Sequence, residues 1–130
     1  TFPNGEIRGQ IGRHVGFARL IGTEEVPPTA SAATGTGMLV IDPATRAASG
    51  RITVSGMTTT MAHVHQAAPG VNGPIIIPLT DAGGGNVWNV PATARLSAEQ
   101  FTAFKQGNLY YNAHSAPFPN GEIRGQIRAP

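Results

Sequence analysis

Glycine and proline recur so closely along this chain that little room is left for helix. Proline removes a backbone donor, and glycine is entropically costly inside a regular element. Seventeen glycines and eleven prolines cut the 130 residues into short runs rich in Val, Ile and Thr. That is the pattern of strands joined by tight turns. Only Ser97 to Gly107 reads as helix: Ser97 can cap free amides, Gln100 three residues on completes a capping box, and Gly107 suits a left-handed stop. Phe101 and Phe104, three apart, would pin these two turns to the end of a β core.

The remaining punctuation orders the strands. Gly12 to Glu25 carries apolar positions at Val15 and Phe17 and, after a bulge, at Leu20 and Ile21, then stops at Val26-Pro27-Pro28. Gly37 to Ile41 and Gly50 to Val54 form a hairpin about the Asp42-Pro43-Ala44-Thr45 turn. Ile75-Ile76-Ile77 with Leu79 is continuously apolar and is expected to be a central strand buried on both faces. Gly83-Gly84-Gly85 lacks the lysine and following helix of a phosphate cradle and reads as turn. Asn108 to His114 and Gly121 to Ile127 are the last strands. A chain of this length makes one folded unit.

Residues 2–11 read Phe-Pro-Asn-Gly-Glu-Ile-Arg-Gly-Gln-Ile, and residues 118–127 repeat them, an offset of 116 (118 − 2). The offset is the size of one small β domain. Residues 1–11 are thus expected to be the tail strand of a preceding repeat, with 12–130 a complete copy; the alternative is an extra N-terminal strand of this fold or of a neighbour's sheet edge. The chain opens inside this motif, so an export signal is expected to lie upstream.

Composition narrows function. Charged residues are 12%, the net charge is +2 and the arginines are scattered, which excludes a phosphate-tracking surface and a nucleic-acid partner. No apolar run reaches spanning length, so membrane insertion is not expected. Without cysteine there is no disulfide and no thiolate metal site. No serine sits in a nucleophile elbow and no carboxylate pair suits glycoside chemistry, so hydrolysis is not expected.

What chemistry there is lies in the histidines. Along a strand alternate side chains share a face, so His63 and His65 of Ala62-His63-Val64-His65 point one way with Val64 opposite. His114 shares a face with Asn112 on the strand Tyr110 to His114. Three convergent neutral imidazoles with an open fourth position suit zinc or type-2 copper. Water, Met61 on the same face, or His14 on another strand would complete the shell. The plainer reading leaves His63 and His65 on a solvated face or bonded to loop carbonyls. Glu122 and Arg124 alternate on one face of the last strand, as a cross-strand ion pair or as groups orienting the histidines.

Taken in order, Leu20-Ile21-Gly22-Thr23-Glu24-Glu25-Val26-Pro27-Pro28, Ala62-His63-Val64-His65, Gly70-Val71-Asn72-Gly73-Pro74, Leu109-Tyr110-Tyr111-Asn112-Ala113-His114 and Pro119-Asn120-Gly121-Glu122-Ile123-Arg124-Gly125-Gln126-Ile127 resemble the CHRD domain. That module is found in chordin and in many bacterial extracytoplasmic proteins. The resemblance spans residues 14–127 and implies an exported all-β domain, often in tandem. A weaker similarity is to copper/zinc superoxide dismutase, whose copper strand carries His-Val-His: His63 and His65 would stand for the first pair and His114 for the late ligand. The chain has no bridging histidine, zinc loop or disulfide, so a two-metal site is not expected.

The expectation is an all-β, Greek-key-like antiparallel β-sandwich with one short helix near residues 97–106. It would be secreted, periplasmic or on the cell surface, and carry a mononuclear site of His63, His65 and His114 at the sheet edge or a loop end. The metal would be copper, with zinc the alternative, and any activity would be weak copper redox or dismutase-like. The other class of function is a structural or protein-interaction module with no metal, associating with neighbouring repeats or with itself through the N-terminal segment.

Overall fold

A computed structural model describes residues 12–130; residues 1–11, and with them the two readings of the N-terminal repeat, lie outside the described residues. Strands β1 (His14–Ile21), β2 (Thr34–Ile41) and β3 (Ala48–Ser55) form a meander, paired antiparallel residue for residue. The Asp42 turn closes the β2–β3 hairpin, with Asp42 Oδ1 accepting from Ala44 N at 2.9 Å. The chain then crosses to β4 (Met61–Gln66) and β5 (Ile75–Pro78), passes through β6 (Thr80–Asp81) and β7 (Val87–Asn89), and enters the helix α1 (Ala98–Lys105). It ends with β8 (Leu109–His114) and β9 (Ile123–Gln126). The sheet order β5-β4-β8-β9-β1-β2-β3-β7-β6 contains the crossovers of a Greek-key-like fold.

One residue, Leu79, separates the strands at the two ends of that order. Its amide donates to Ala62 O on β4 at 2.9 Å, while Thr80 pairs with Asn89 on β7. One short stretch therefore draws the antiparallel sandwich into a nearly closed, barrel-like sheet. The expectation of a central strand at Ile75-Ile76-Ile77 is corrected: β5 has a single sheet neighbour, β4, and Ile75 is 52% exposed, with only Ile77 and Leu79 in the core.

The face of β1 is corrected as well. Gly16, Ala18 and Leu20 point inward without a bulge, and Phe17 lies outside, half-exposed. The inward face is small because Ile127, just after β9, and Phe104 of α1 press on it. A Cβ on Gly16 would lie 2.5 Å from Ile127 Cγ2 and 3.1 Å from the Phe104 ring. The core itself is built on Leu20, Leu39, Ile52, Tyr111, Ile123 and Ile127, all with negligible exposure. Burying each aliphatic side chain of this kind contributes about 1.5–3 kcal/mol.

The helix matches its sequence signals. Ser97 Oγ accepts from Gln100 N at 3.1 Å, Gln100 Oε1 accepts from Ser97 N at 2.8 Å, and Gly107 takes φ 78°. Phe104 is buried and Phe101 packs against the core. The Gly83-Gly84-Gly85 turn takes positive φ throughout, with Asp81 Oδ1 accepting from Gly83 N and Gly85 N. Among the described residues no helix is long and apolar enough to cross a membrane.

Strands β8 and β9 are buried on both faces. Their inward residues, Leu109, Tyr111, Ala113 and Ile123, join the core, whereas Tyr110, Asn112, His114, Arg124 and Gln126 alternate outward. Loops cover that outer face: Thr29 and Ser31 bond to Glu122, Ala68 O and Val71 O accept from Arg124, and Pro119 O meets His114. A polar layer buried beneath loops is where the histidines lie.

Candidate metal centre

Alternation along β4 puts Ala62 and Val64 in the core and His63 and His65 on the outer face. Antiparallel pairing with β8 then sets Asn112 opposite His63, Tyr110 opposite His65, and His114 one pair further on, opposite Met61. Residues on one face of neighbouring strands are within side-chain reach. The result is a buried cluster: His63, His65 and His114 are each 7–8% exposed, and each offers a ligand nitrogen within 4.8 Å of the others. The cluster sits inside the sheet, on β4 and β8 beneath loops, and not at the sheet edge, which β5 occupies.

Hydrogen bonds define which nitrogens face inward. Pro119 O lies 2.9 Å from His114 Nδ1 and Gly73 O lies 2.9 Å from His65 Nδ1. A carbonyl only accepts, so both rings carry their proton on Nδ1 and keep a lone pair on Nε2. His114 Nε2 faces His63 Nδ1 at 3.1 Å. Two nitrogens held about 2.05 Å from one metal at a tetrahedral angle are about 3.3 Å apart, close to that spacing. His65 Nε2 lies 2.9 Å from Asn112 Oδ1; with the ring proton on Nδ1, the Asn112 amide turns its NH2 to this nitrogen, the O and N of an amide being interchangeable by a flip.

Electrostatics favour the neutral form of His63 and His65. Burial pushes His63 down to about 4, with His114 and His65 acting in the same direction. Burial also lowers His65, against the opposing effect of its bond to Gly73 O. Neutral imidazole is the form that binds metal.

Of the other residues singled out by sequence, His14 packs edge-on against Phe101 on α1, ring centres 5.2 Å apart. Met61 is half-exposed and is the cross-strand partner of His114, beside the cluster. Among the described residues, neither Glu122 nor Arg124 forms the expected cross-strand ion pair with a neighbouring strand. Glu122 accepts from Ser115 Oγ at 2.5 Å and from Ser31 Oγ, while Thr29 Oγ1 donates to its backbone carbonyl at 2.7 Å. Arg124 donates to Val71 O at 2.9 Å, Ala68 O at 3.0 Å and Gln126 Oε1 at 2.9 Å, and lies 3.5 Å above the centre of the Tyr110 ring.

Sequence reasoning misses two groups here. Gly73 carries the carbonyl that orients His65, and its amide donates to Tyr110 Oη at 3.0 Å; its place among turn residues points only to a loop. Glu25 is buried, with Oε2 lacking a hydrogen-bond partner among the described residues. Burial raises its carboxyl to about 7, against the opposing pull of Arg124. No spacing signal marks it.

Taken together, the described residues define an all-β, barrel-like sandwich with a roofed three-histidine cluster on two adjacent strands. The chain belongs to the CHRD domain family, whose model matches residues 17–127. No curated protein and no solved structure matches it, and the likeness to the dismutase sandwich has no support from these comparisons.

Proposed function

We propose that this domain is an extracytoplasmic metal-binding module with a mononuclear site formed by His63, His65 and His114, and that its ion is copper, with zinc the alternative. The observation that carries the reading is the convergence of three buried imidazole nitrogens within 4.8 Å. Two of those rings have their second nitrogen bonded to a backbone carbonyl. Metal-binding histidines commonly donate their other N–H in this way, which sets the tautomer and raises ligand basicity. An all-nitrogen set without thiolate suits copper(II) and zinc. The rings supply lone pairs, and an open position would admit water or a small oxidant, which is the basis for weak copper redox or dismutase-like activity.

Titration of the purified chain with copper(II) and with zinc tests this. Binding at least about a hundredfold weaker in the His63→Ala, His65→Ala double variant supports the reading. Equal affinities of the two proteins for both ions overturn it.

A second reading, a protein-interaction module of a surface or secreted protein, draws on a different observation. Phe17 and Met38 are cross-strand partners on β1 and β2, 49% and 39% exposed. Paired exposed apolar side chains suit a contact with a neighbouring repeat or a second copy. Residues 1–11 would belong to such a repeat. Removing residues 1–12 without loss of stability supports that assignment, and a large loss places the segment in this fold.

A further inference from the structure

His65 owes its orientation to a loop, and most of the side chains that hold the loop lie beyond the histidine itself. Residues 67–74 connect β4 to β5 and carry Gly73 over the ring. Arg124, 1% exposed on β9, donates to Ala68 O and Val71 O in this loop. The neighbouring Gln126 donates to Ala67 O at 3.0 Å and accepts from Arg124. Asn72 Nδ2 donates to Val26 O at 2.8 Å, tying the loop to the segment after β1.

A second path runs through rings. The Arg124 guanidinium lies over one face of Tyr110, and His65 stacks on Tyr110 with ring centres 4.8 Å apart and planes 3° from parallel. The Tyr110 hydroxyl accepts the amide of Gly73, whose carbonyl accepts from His65. Both ends of the Gly73 residue are thereby held against one histidine.

We infer that Arg124 is a positioning residue for His65: by holding loop 67–74 and stacking on Tyr110, it keeps Gly73 O on Nδ1 and leaves Nε2 as the ligand nitrogen. The chemical step is simple. A neutral imidazole has one N–H and cannot donate at both nitrogens. Gly73 O only accepts, whereas the Asn112 amide, whose Oδ1 lies 2.9 Å from Nε2, can flip to turn its NH2 there instead. While the loop stays in place the proton belongs on Nδ1. Release of the loop removes that preference, and the ring is free to protonate Nε2 and withdraw the lone pair from the cluster. Arginine suits the task because its planar fork reaches two carbonyls and an amide oxygen while stacking on an aromatic face.

The consequence for metal rests on the proposed function; the consequence for the tautomer does not. Nitrogen-15 imidazole spectra of the metal-free chain read the tautomer, and copper(II) titration reads the affinity. The native chain is expected to show His65 protonated on Nδ1. Arg124→Met is expected to give a tautomer mixture at His65 with little change at His114, and a roughly 10- to 100-fold loss of copper affinity, the range typical for groups that orient ligands. Tyr110→Phe, which removes only the hydroxyl that accepts from Gly73, is expected to act in the same direction and serves if Arg124→Met does not fold. Ile52→Val, a core change remote from the loop, controls for general destabilisation and should leave the tautomer unchanged. An unaltered Nδ1–H signal in both Arg124→Met and Tyr110→Phe overturns the positioning role. Absence of copper binding in the native chain, with the tautomer shift present in the variants, overturns the metal reading and leaves the positioning role standing.

Discussion

Gly73→Ala is the sharpest local test of how the roof is built. The glycine is not there for a left-handed turn, since its φ is not among the positive values. It is there for space: a Cβ would lie 1.9 Å from Gln66 O and 2.8 Å from Ala67 Cβ. Backbone at that distance cannot yield cheaply, so residue 73 must move outward and release both its bonds, His65 Nδ1 to Gly73 O and Gly73 N to Tyr110 Oη. At about 0.5–1.5 kcal/mol net for each hydrogen bond, the loss is about 1–3 kcal/mol. Gly70 in the same loop provides the contrast. It takes φ 79° with nothing within 4 Å of the place an alanine methyl group would occupy, so Gly70→Ala costs about 1–2 kcal/mol through backbone strain alone. The two variants should have comparable urea midpoints. Only Gly73→Ala should lose copper affinity, by about tenfold or more. Equal affinity in the two, or a Gly73→Ala stability within about 0.5 kcal/mol of native, refutes the role of this residue in orienting His65.

Further expectations follow from the buried groups. His63 has a folded-state value near 4, below its ordinary 6.5. Its contribution is therefore complete above about pH 6.5 and is lost as pH falls toward 4, and His63→Gln should flatten the fall in urea midpoint over that window. Glu25 has the opposite sign: raised from 4.5 to about 7, it costs stability as pH rises through that interval, so Glu25→Gln should stabilise the chain at about pH 8 relative to about pH 5. Ser97→Ala removes one arm of the capping box and should cost about 1 kcal/mol, read by thermal unfolding, without changing metal affinity. Saturating copper at about 100 times the dissociation constant should raise stability by about 2.7 kcal/mol, and a chelator should reverse the gain.

How much is legible in the sequence follows from the range of each interaction. The helix is readable because its signals, Ser97, Gln100 and Gly107, lie close together along the chain. The shared face of His63 and His65 follows from strand alternation, and the partnership with His114 needs only β4 and β8 to be neighbours. The face of β1 is misleading because small residues can mark a crowded interior as well as a surface: Gly16 and Ala18 lie inside, with Ile127 and Phe104 close above Gly16. The triple isoleucine suggests a central strand, yet β5 is at the end of the sheet order and buries only part of the run. Charge suggests an acidic partner for Arg124, whereas its partners include carbonyls 53 and 56 residues away that no sequence pattern marks.

Anomalous X-ray diffraction from crystals of the copper-loaded chain tests the three-histidine site most directly. One strong peak is expected about 2.0–2.1 Å from one ring nitrogen each of His63, His65 and His114, with His65 and His114 binding through Nε2. A peak placed elsewhere, at His14 for example, or no peak in the loaded crystal, contradicts it.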